Sequence, residues 1–180
     1  MSMSAIQNQP TNLSYLSPLS FRLVLDRTPN VNYFLTGAEV PAVTLGEFDE
    51  ETPLAALPYP GDKLRYDPLT INFNVDEDIR NHEELYSWLQ GLGFPEDFQQ
   101  YRNLRDDPNR TTTFGQDANI YSDGSLILMT AAQNPNLNIK FKNMFPISLS
   151  AITLNTTDGD VNYVQATASF RYSTYSIELI

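Results

Sequence analysis

The sequence predicts a mainly β fold: an antiparallel β-sandwich or barrel of about eight strands, with one flanking α-helix and a second short helix. Three observations carry this. Several segments alternate apolar and polar residues with the two-residue period of a half-buried strand. The cleanest sets Leu69, Ile71, Phe73 and Val75 against Thr70, Asn72 and Asn74. One segment only, with Ile79, Leu85, Trp88, Leu89 and Leu92, carries its apolar residues near helical spacing. The chain has no internal repeat and no βαβ rhythm, which argues against a parallel sheet.

Taken in order, residues 1–17 are polar and rich in Ser and Asn, and read as an arm that orders on a neighbour. A single domain over residues 18–180 follows. SFRLVLDR (20–27) alternates as a strand. Pro29-Asn30 marks a turn, and extended structure resumes over Val31 to Leu35 and again over Val40 to Leu45. Residues 46–62, with Gly46, Pro53, Pro58, Pro60 and Gly61 among four carboxylates, read as a long exposed loop or a poor hairpin. After the 69–75 strand, Asn81 followed by Glu84 fits a capping box for the helix, with Asp78 as an alternative start. Gly91 or Gly93 supplies the stop, and Pro95 opens the second helix, roughly Pro95 to Asn103. Residues 104–122 read as a loop. Asp123-Gly124 turns into a strand over Ser125 to Thr130, and Asn134-Pro135-Asn136 turns it back through 137–142 as a hairpin. Ile147 to Leu154 is a further strand. After a turn at Asp158-Gly159-Asp160, Val161 to Leu179 is one long alternating segment or two strands joined by a bend.

Composition removes several classes of function. At 180 residues and 41% hydrophobic, the chain is long enough and apolar enough to bury a core. It carries 22 acidic against 11 basic residues, a net charge of -11, which is the wrong sign for gripping a nucleic-acid backbone. There is no cysteine, so disulfides, thiolate metal sites and cysteine nucleophiles are absent. A lone histidine, His82, cannot build a multi-histidine metal site. No basic leader opens the sequence, and no run approaches the ~20 apolar residues of a membrane span. Sequons at Asn12, Asn109 and Asn155 are read as accidental.

The feature most suggestive of chemistry is the carboxylate run Asp76-Glu77-Asp78. Three consecutive side chains diverge, and the run lacks the alternating ligands and central glycine of a calcium loop. Negative charge beside a helix N-terminus has a simpler cause, worth roughly 0.3–1 kcal/mol per exposed group. The reading is therefore a helix start, with no cofactor and no metal. Trp88 falls on the apolar face of the helix and reads as an anchor between helix and sheet. No phosphate-cradling glycine loop, nucleophile elbow or zinc spacing occurs, so no enzyme is expected.

The order of these features is more specific than any one of them. Pro60-Gly61-Asp62, then Asp67, then LTINFNVDED (69–78) with Asp76, Glu77 and Asp78, then Arg80-Asn81, then Leu85 and Trp88, resembles the tail-tube protein family of contractile-tailed bacteriophages. TGAEVPAVTLG (36–46) looks like that family's extended segment before its first long loop. The resemblance implies a β-sandwich with a flanking helix, six of which close a ring. Their strands join in one barrel around a channel, and stacked rings form the tube through which DNA leaves the capsid. An acidic channel would let DNA slide without sticking, and the net charge agrees with that. The implied partners are further copies, adjacent rings, sheath, and baseplate or neck proteins, in a virion assembled in the host cytoplasm with no membrane contact. The long 104–122 loop and the proline-rich 46–60 segment depart from the common pattern and keep open an end ring, either a terminator at the neck or an initiator at the baseplate. The competing class is a carbohydrate- or receptor-binding β-sandwich adaptor, which would show an exposed aromatic cluster.

Overall fold

The computed structural model describes residues 14–106, 118–155 and 163–180. The expected turn at Asp158-Gly159-Asp160, most of the arm and the centre of the 104–122 loop lie outside the described residues. The chain runs β1 (Phe21–Leu25), α1 (Pro29–Tyr33), β2 (Leu35–Glu39), β3 (Val43–Glu51), β4 (Ala56–Tyr66), β5 (Leu69–Asn74), α2 (Arg80–Gly93) and α3 (Phe98–Arg105). A 3-10 turn at Ala118–Ile120 leads into β6 (Ser122–Met129), β7 (Pro135–Leu149), β8 (Gln165–Arg171) and β9 (Thr174–Leu179). All described strand pairs are antiparallel. The fold is mainly β, as the alternation requires.

The 15-residue β7 belongs to two sheets at once. Its first part pairs with β6 on one side and with β9 on the other, from Leu137↔Leu179 to Lys142↔Thr174. Its last part pairs with β8, from Phe145↔Arg171 to Leu149↔Ala168. The first sheet therefore reads β1-β6-β7-β9 and the second β2-β5-β8-β7. The switch occurs at Asn143, whose φ of 54° is left-handed, a conformation asparagine adopts more readily than most residues. Its backbone N–H donates to Asp123 Oδ1 at 3.0 Å, and its side-chain amide donates to Ser173 Oγ at 3.2 Å. The β8–β9 connection crosses at the same corner, where the Ser173 N–H donates to the Lys142 carbonyl at 2.9 Å.

Folding over at this corner brings the two apolar faces together. Leu23, Leu126 and Ile139 of the first sheet share one core with Leu69, Ile71, Phe73, Ala168 and Phe170 of the second. Leu85 and Trp88 of α2, Leu104 of α3 and Val31 of α1 close it. Strand β5 alternates between buried Leu69, Ile71, Phe73 and half-buried Thr70, Asn72, Asn74, so a one-residue slip would expose the whole set.

Several local expectations are corrected. Val31 to Leu35 is not extended: Pro29 opens a short helix there, as proline does at a first turn, and buries Val31. Of the two readings for residues 46–62, the hairpin holds and the loop does not: β3 and β4 pair over the segment as a long, exposed hairpin. The 104–122 loop is shorter than expected, because α3 runs to Arg105 and β6 starts at Ser122. Asp123-Gly124 lies inside β6 at a ladder irregularity. Ile147 to Leu154 is not a separate strand, since β7 continues to Leu149. For the C-terminal segment, the reading of two strands joined by a bend holds over the described residues, as β8 and β9 with the bend at Tyr172–Ser173. The described strands number nine, with two short helices beside α2.

Gly124 shows how tightly the core is filled. A Cβ there would lie 2.5 Å from Met144 Sδ and 2.7 Å from Leu25 Cδ2. Gly124→Ala is expected to lower stability by about 1–3 kcal/mol through overpacking, read as a lower urea midpoint with unchanged slope.

Candidate functional site

The carboxylate run sits where β5 hands over to α2, and its three members do different things. Asp76 Oδ1 accepts the backbone N–H of Asn81 at 3.3 Å, which satisfies one orphan donor of the first helical turn. Asn81 is fully buried and its side-chain amide donates to the Asn74 carbonyl at 2.8 Å, tying helix to strand. Glu77 is exposed. Asp78 meets Arg80 at 3.4 Å as a largely exposed ion pair, of the kind that contributes little. Among the described residues no three His, Asp or Glu side chains gather as a metal site.

The expected capping box does not form. The residue before the helix is Ile79, left-handed at φ 58°, whose own side chain makes no capping bond, and Glu84 does not return to the helix start. Glu84 instead reaches α1 and accepts from Asn30 Nδ2 at 2.7 Å. Burial raises its carboxyl pKa, against which hydrogen bonds from Asn30 and Val31 pull, while Asp76 adds to the rise. Neither glycine alone stops α2. Gly91 is where α3 crosses, with Leu104 Cβ 2.9 Å from the position of an added Cβ, and Phe94 takes the left-handed C-cap at φ 33°.

Trp88 is 1% exposed. Its indole N–H donates to the Ile120 carbonyl at 3.0 Å, its ring lies 6.2 Å from Phe170 of β8, and the Arg27 guanidinium stands 5.1 Å from the ring centroid. One side chain thus joins α2, the second sheet and the segment entering β6.

Pro60, Gly61 and Asp62 lie in β4, in the middle of the hairpin. The two strands pair only with each other, and β3 is exposed along its whole length. The ladder shifts between Leu45↔Leu64 and Glu47↔Pro60, so Gly61, Asp62 and Lys63 face Gly46 alone. Only glycine fits at 61, because a Cβ would sit 2.6 Å from the Gly46 carbonyl oxygen. The hairpin carries Val43, Leu45, Leu57 and Leu64 to solvent, along with Phe48 stacked on Tyr59 at 5.5 Å. Glu47, Asp49, Glu50 and Glu51 make its outer half acidic, with no Lys or Arg from 47 to 60.

Asp67 marks the root of this hairpin. Its N–H donates to the Ala42 carbonyl at 3.0 Å, and its own carbonyl accepts the Tyr172 hydroxyl at 2.9 Å. Tyr66 packs on Tyr172 and Tyr175 at 5.9 and 5.6 Å, with Phe141 beneath at 5.0 Å from Tyr172. Burial, with Tyr175, Tyr66 and Asp67 nearby, pushes the Tyr172 phenol up to about 12.

A second aromatic group lies at the α2–α3 corner, where Phe94, Phe98 and Tyr101 contact one another. Tyr101 stacks on Phe98 and Arg102 also lies over that ring, while Phe94 and Phe98 remain partly exposed to solvent. No helix among the described residues is long and apolar enough to cross a membrane.

Residues 23–178 match the family model of the phage tail tube protein. The chain belongs to that family. It is a structural protein of the tail-tube type, and its family is not one defined by catalysis. No curated protein matches it. Among solved structures, its fold is similar to a chain of the anti-feeding prophage cap, a tube-terminating cap, with TM-score 0.59, 12% identity and 100% of each chain covered. It is also similar to a chain of the sheath–tube complex of an extracellular contractile injection system, PVC, in the extended state, with TM-score 0.54 and 11% identity over 100% of this chain and 99% of that one. A chain of the PVC sheath/tube terminator gives TM-score 0.54 and 12% identity over 93% and 99%. At these identities the likeness is one of fold.

Two outcomes follow from the joint and the hairpin root. Asp76→Ala should destabilise the protein by about 1–3 kcal/mol because the Asn81 N–H loses its acceptor, while Asp78→Ala changes little; chemical denaturation separates them. The raised carboxyl pKa of Glu84 means the folded state holds that proton more tightly than the unfolded chain. The stability this contributes is present in acid and is lost as pH rises through the folded value. Glu84→Gln should therefore gain Tm relative to the unsubstituted chain between acid and neutral pH.

Proposed function

We propose that six copies of this chain close a ring of a contractile tail tube, and that its wall bounds the channel through which DNA is ejected. The observation that carries this is the β3–β4 hairpin in a chain of the tail-tube family. A paired ribbon that exposes Phe48, Tyr59, Leu45 and Leu64 together carries the kind of apolar surface that marks a partner site. Ring closure supplies that partner from the next copy. It also pairs the open edges that β1, β9 and β2 otherwise present to solvent. The contact surfaces are the hairpin, strand β5 with the end of β4, and the strands β8 and β9.

The fold is similar to that of a chain of a sheath–tube complex and of a chain of a tube-terminating cap, so the reading keeps two positions along the tail. One is the repeating subunit. The other is an end ring, a terminator at the neck or an initiator at the baseplate. In either, the partners are adjacent rings together with sheath, baseplate or neck proteins, in a virion component assembled in the host cytoplasm. DNA only passes through, without specific binding.

Negative-stain images of the purified chain at high concentration should show sixfold rings or tubes; tubes that grow indicate the repeating subunit, and single rings an end ring. Phe48→Ser with Tyr59→Ser should abolish assembly while leaving the circular dichroism spectrum unchanged. A 20.4 kDa monomer at every concentration would overturn the ring reading.

A further inference from the structure

The last strand of the first sheet breaks the rule that its neighbours obey. Residues directly opposite each other in an antiparallel ladder point to the same face. Tyr175 pairs with Phe141, Ile177 with Ile139 and Leu179 with Leu137. Strand β9 therefore turns its apolar residues to the core side of the sheet, and Thr174, Ser176 and Glu178 to the other. Ile139 and Phe141 are fully buried on that side. Their partners one strand out are not: Tyr175 is half-buried, Ile177 is 59% exposed and Leu179 83%. The cover supplied by the second sheet and the helices ends between β7 and β9. The strand is not frayed, since the Ile180 N–H still donates to the Asn136 carbonyl at 3.0 Å beyond the end of the ladder. An apolar ledge is thus held in place with nothing over it among the described residues.

The opposite edge of the same sheet carries apolar residues that cover nothing. Tyr15, Leu16 and Leu19 lead into β1, and all three are exposed, Tyr15 at 99%. The segment is uncharged, and the first charged side chain in the sequence is Arg22. The core side of β9 is uncharged as well. In a chain of net charge -11, two copies meet at least electrostatic cost where neither surface carries carboxylates.

The geometry points to a clasp between copies, in which the Tyr15–Leu19 segment of one lies on the Ile177–Leu179 ledge of the next. The inference rests on the ring reading and adds a contact that does not involve the hairpin. The strand order β1-β6-β7-β9 puts the segment at one edge of the sheet and the ledge at the other. A ring closed head to tail brings such unlike edges of neighbouring copies together. Within one chain the segment would have to pass β6 and β7 on the side that the core already fills. Residues 14–20, when extended, span up to about 23–25 Å. Neighbouring strands lie roughly 5 Å apart, so the segment is long enough to cross β9 and reach half-buried Leu137.

The chain has no cysteine, so paired substitutions create unique cross-linking sites. Tyr15→Cys and Leu179→Cys are made as two single variants, mixed, assembled and treated with a short bismaleimide; the double variant is treated in the same way. The expected result is a covalent dimer from the mixture, absent when either variant is assembled alone, and a ladder up to the hexamer from the double variant. Negative-stain images of the same samples report whether rings are present. Leu16→Cys with Ile177→Cys repeats the measurement if the first pair does not assemble. Rings that give no intermolecular product at either pair, or a double variant joined only within one chain, overturn the clasp and leave the ring intact. Failure of the unsubstituted chain to form rings removes the ring reading and the clasp with it.

Discussion

The corner at Asn143 is the constraint on which the other layers depend. A single strand, β7, supplies hydrogen bonds to β6 and β9 before the corner and to β8 after it. The backbone must therefore swing from one sheet to the other without leaving donors unpaired. Left-handed Asn143 makes the swing, Asp123 takes its N–H, and Ser173 follows the same path one strand over. Because both connections turn together, Ile139 and Phe141 come to face Phe170 and Ile71 across one core. A straight β7 would leave two half-sheets, each with an apolar face in water.

Helix α2 is placed by the same logic on a smaller scale. Its start is set by Asp76 and by buried Asn81 gripping the end of β5, and its middle by Trp88 reaching Phe170 and the Ile120 carbonyl. The left-handed Ile79 and Phe94 at its two ends are uncommon conformations for bulky side chains. They are sustained by what flanks them: the Asp76–Asn81 bonds at one end and the Phe98–Tyr101 contacts at the other. Of the carboxylates that looked most like chemistry, Asp76 is part of this joint, while Glu77 and Asp78 face solvent.

The hairpin follows a different rule. Inside the body, apolar side chains are covered by the chain's own sheets and helices; along β3 and β4 they are not. The aromatic root of Tyr66, Tyr172 and Tyr175 fixes the ribbon to the body, and beyond it nothing in the described chain covers Phe48 or Tyr59. A stable ribbon of exposed apolar and acidic residues makes sense as part of an assembly whose other half lies on another chain.

Strand β5, the single long helix and the antiparallel, mainly β class were legible in the sequence, because alternation and helical spacing are local and are enforced by burial of one face. So was the family, through the order of features from Pro60 to Trp88. Other features were not local. Prolines at 58 and 60 and the carboxylates at 47–51 left loop and poor hairpin undecided because β propensity is low there, yet cross-strand pairing and the Gly46–Gly61 approach outweigh propensity. Asp123-Gly124 looked like a turn because its need for glycine comes from Met144 and Leu25, which are distant in sequence or on another strand. The sequence by itself determined the alternating strands, the amphipathic helix and the absence of thiolate or multi-histidine chemistry, all properties of residue type and short-range period. Only the tertiary structure decided that β7 serves two sheets, that Asp76 and Asn81 form a joint, and that β3 and β4 pair as an uncovered ribbon, because each depends on partners brought together by the fold.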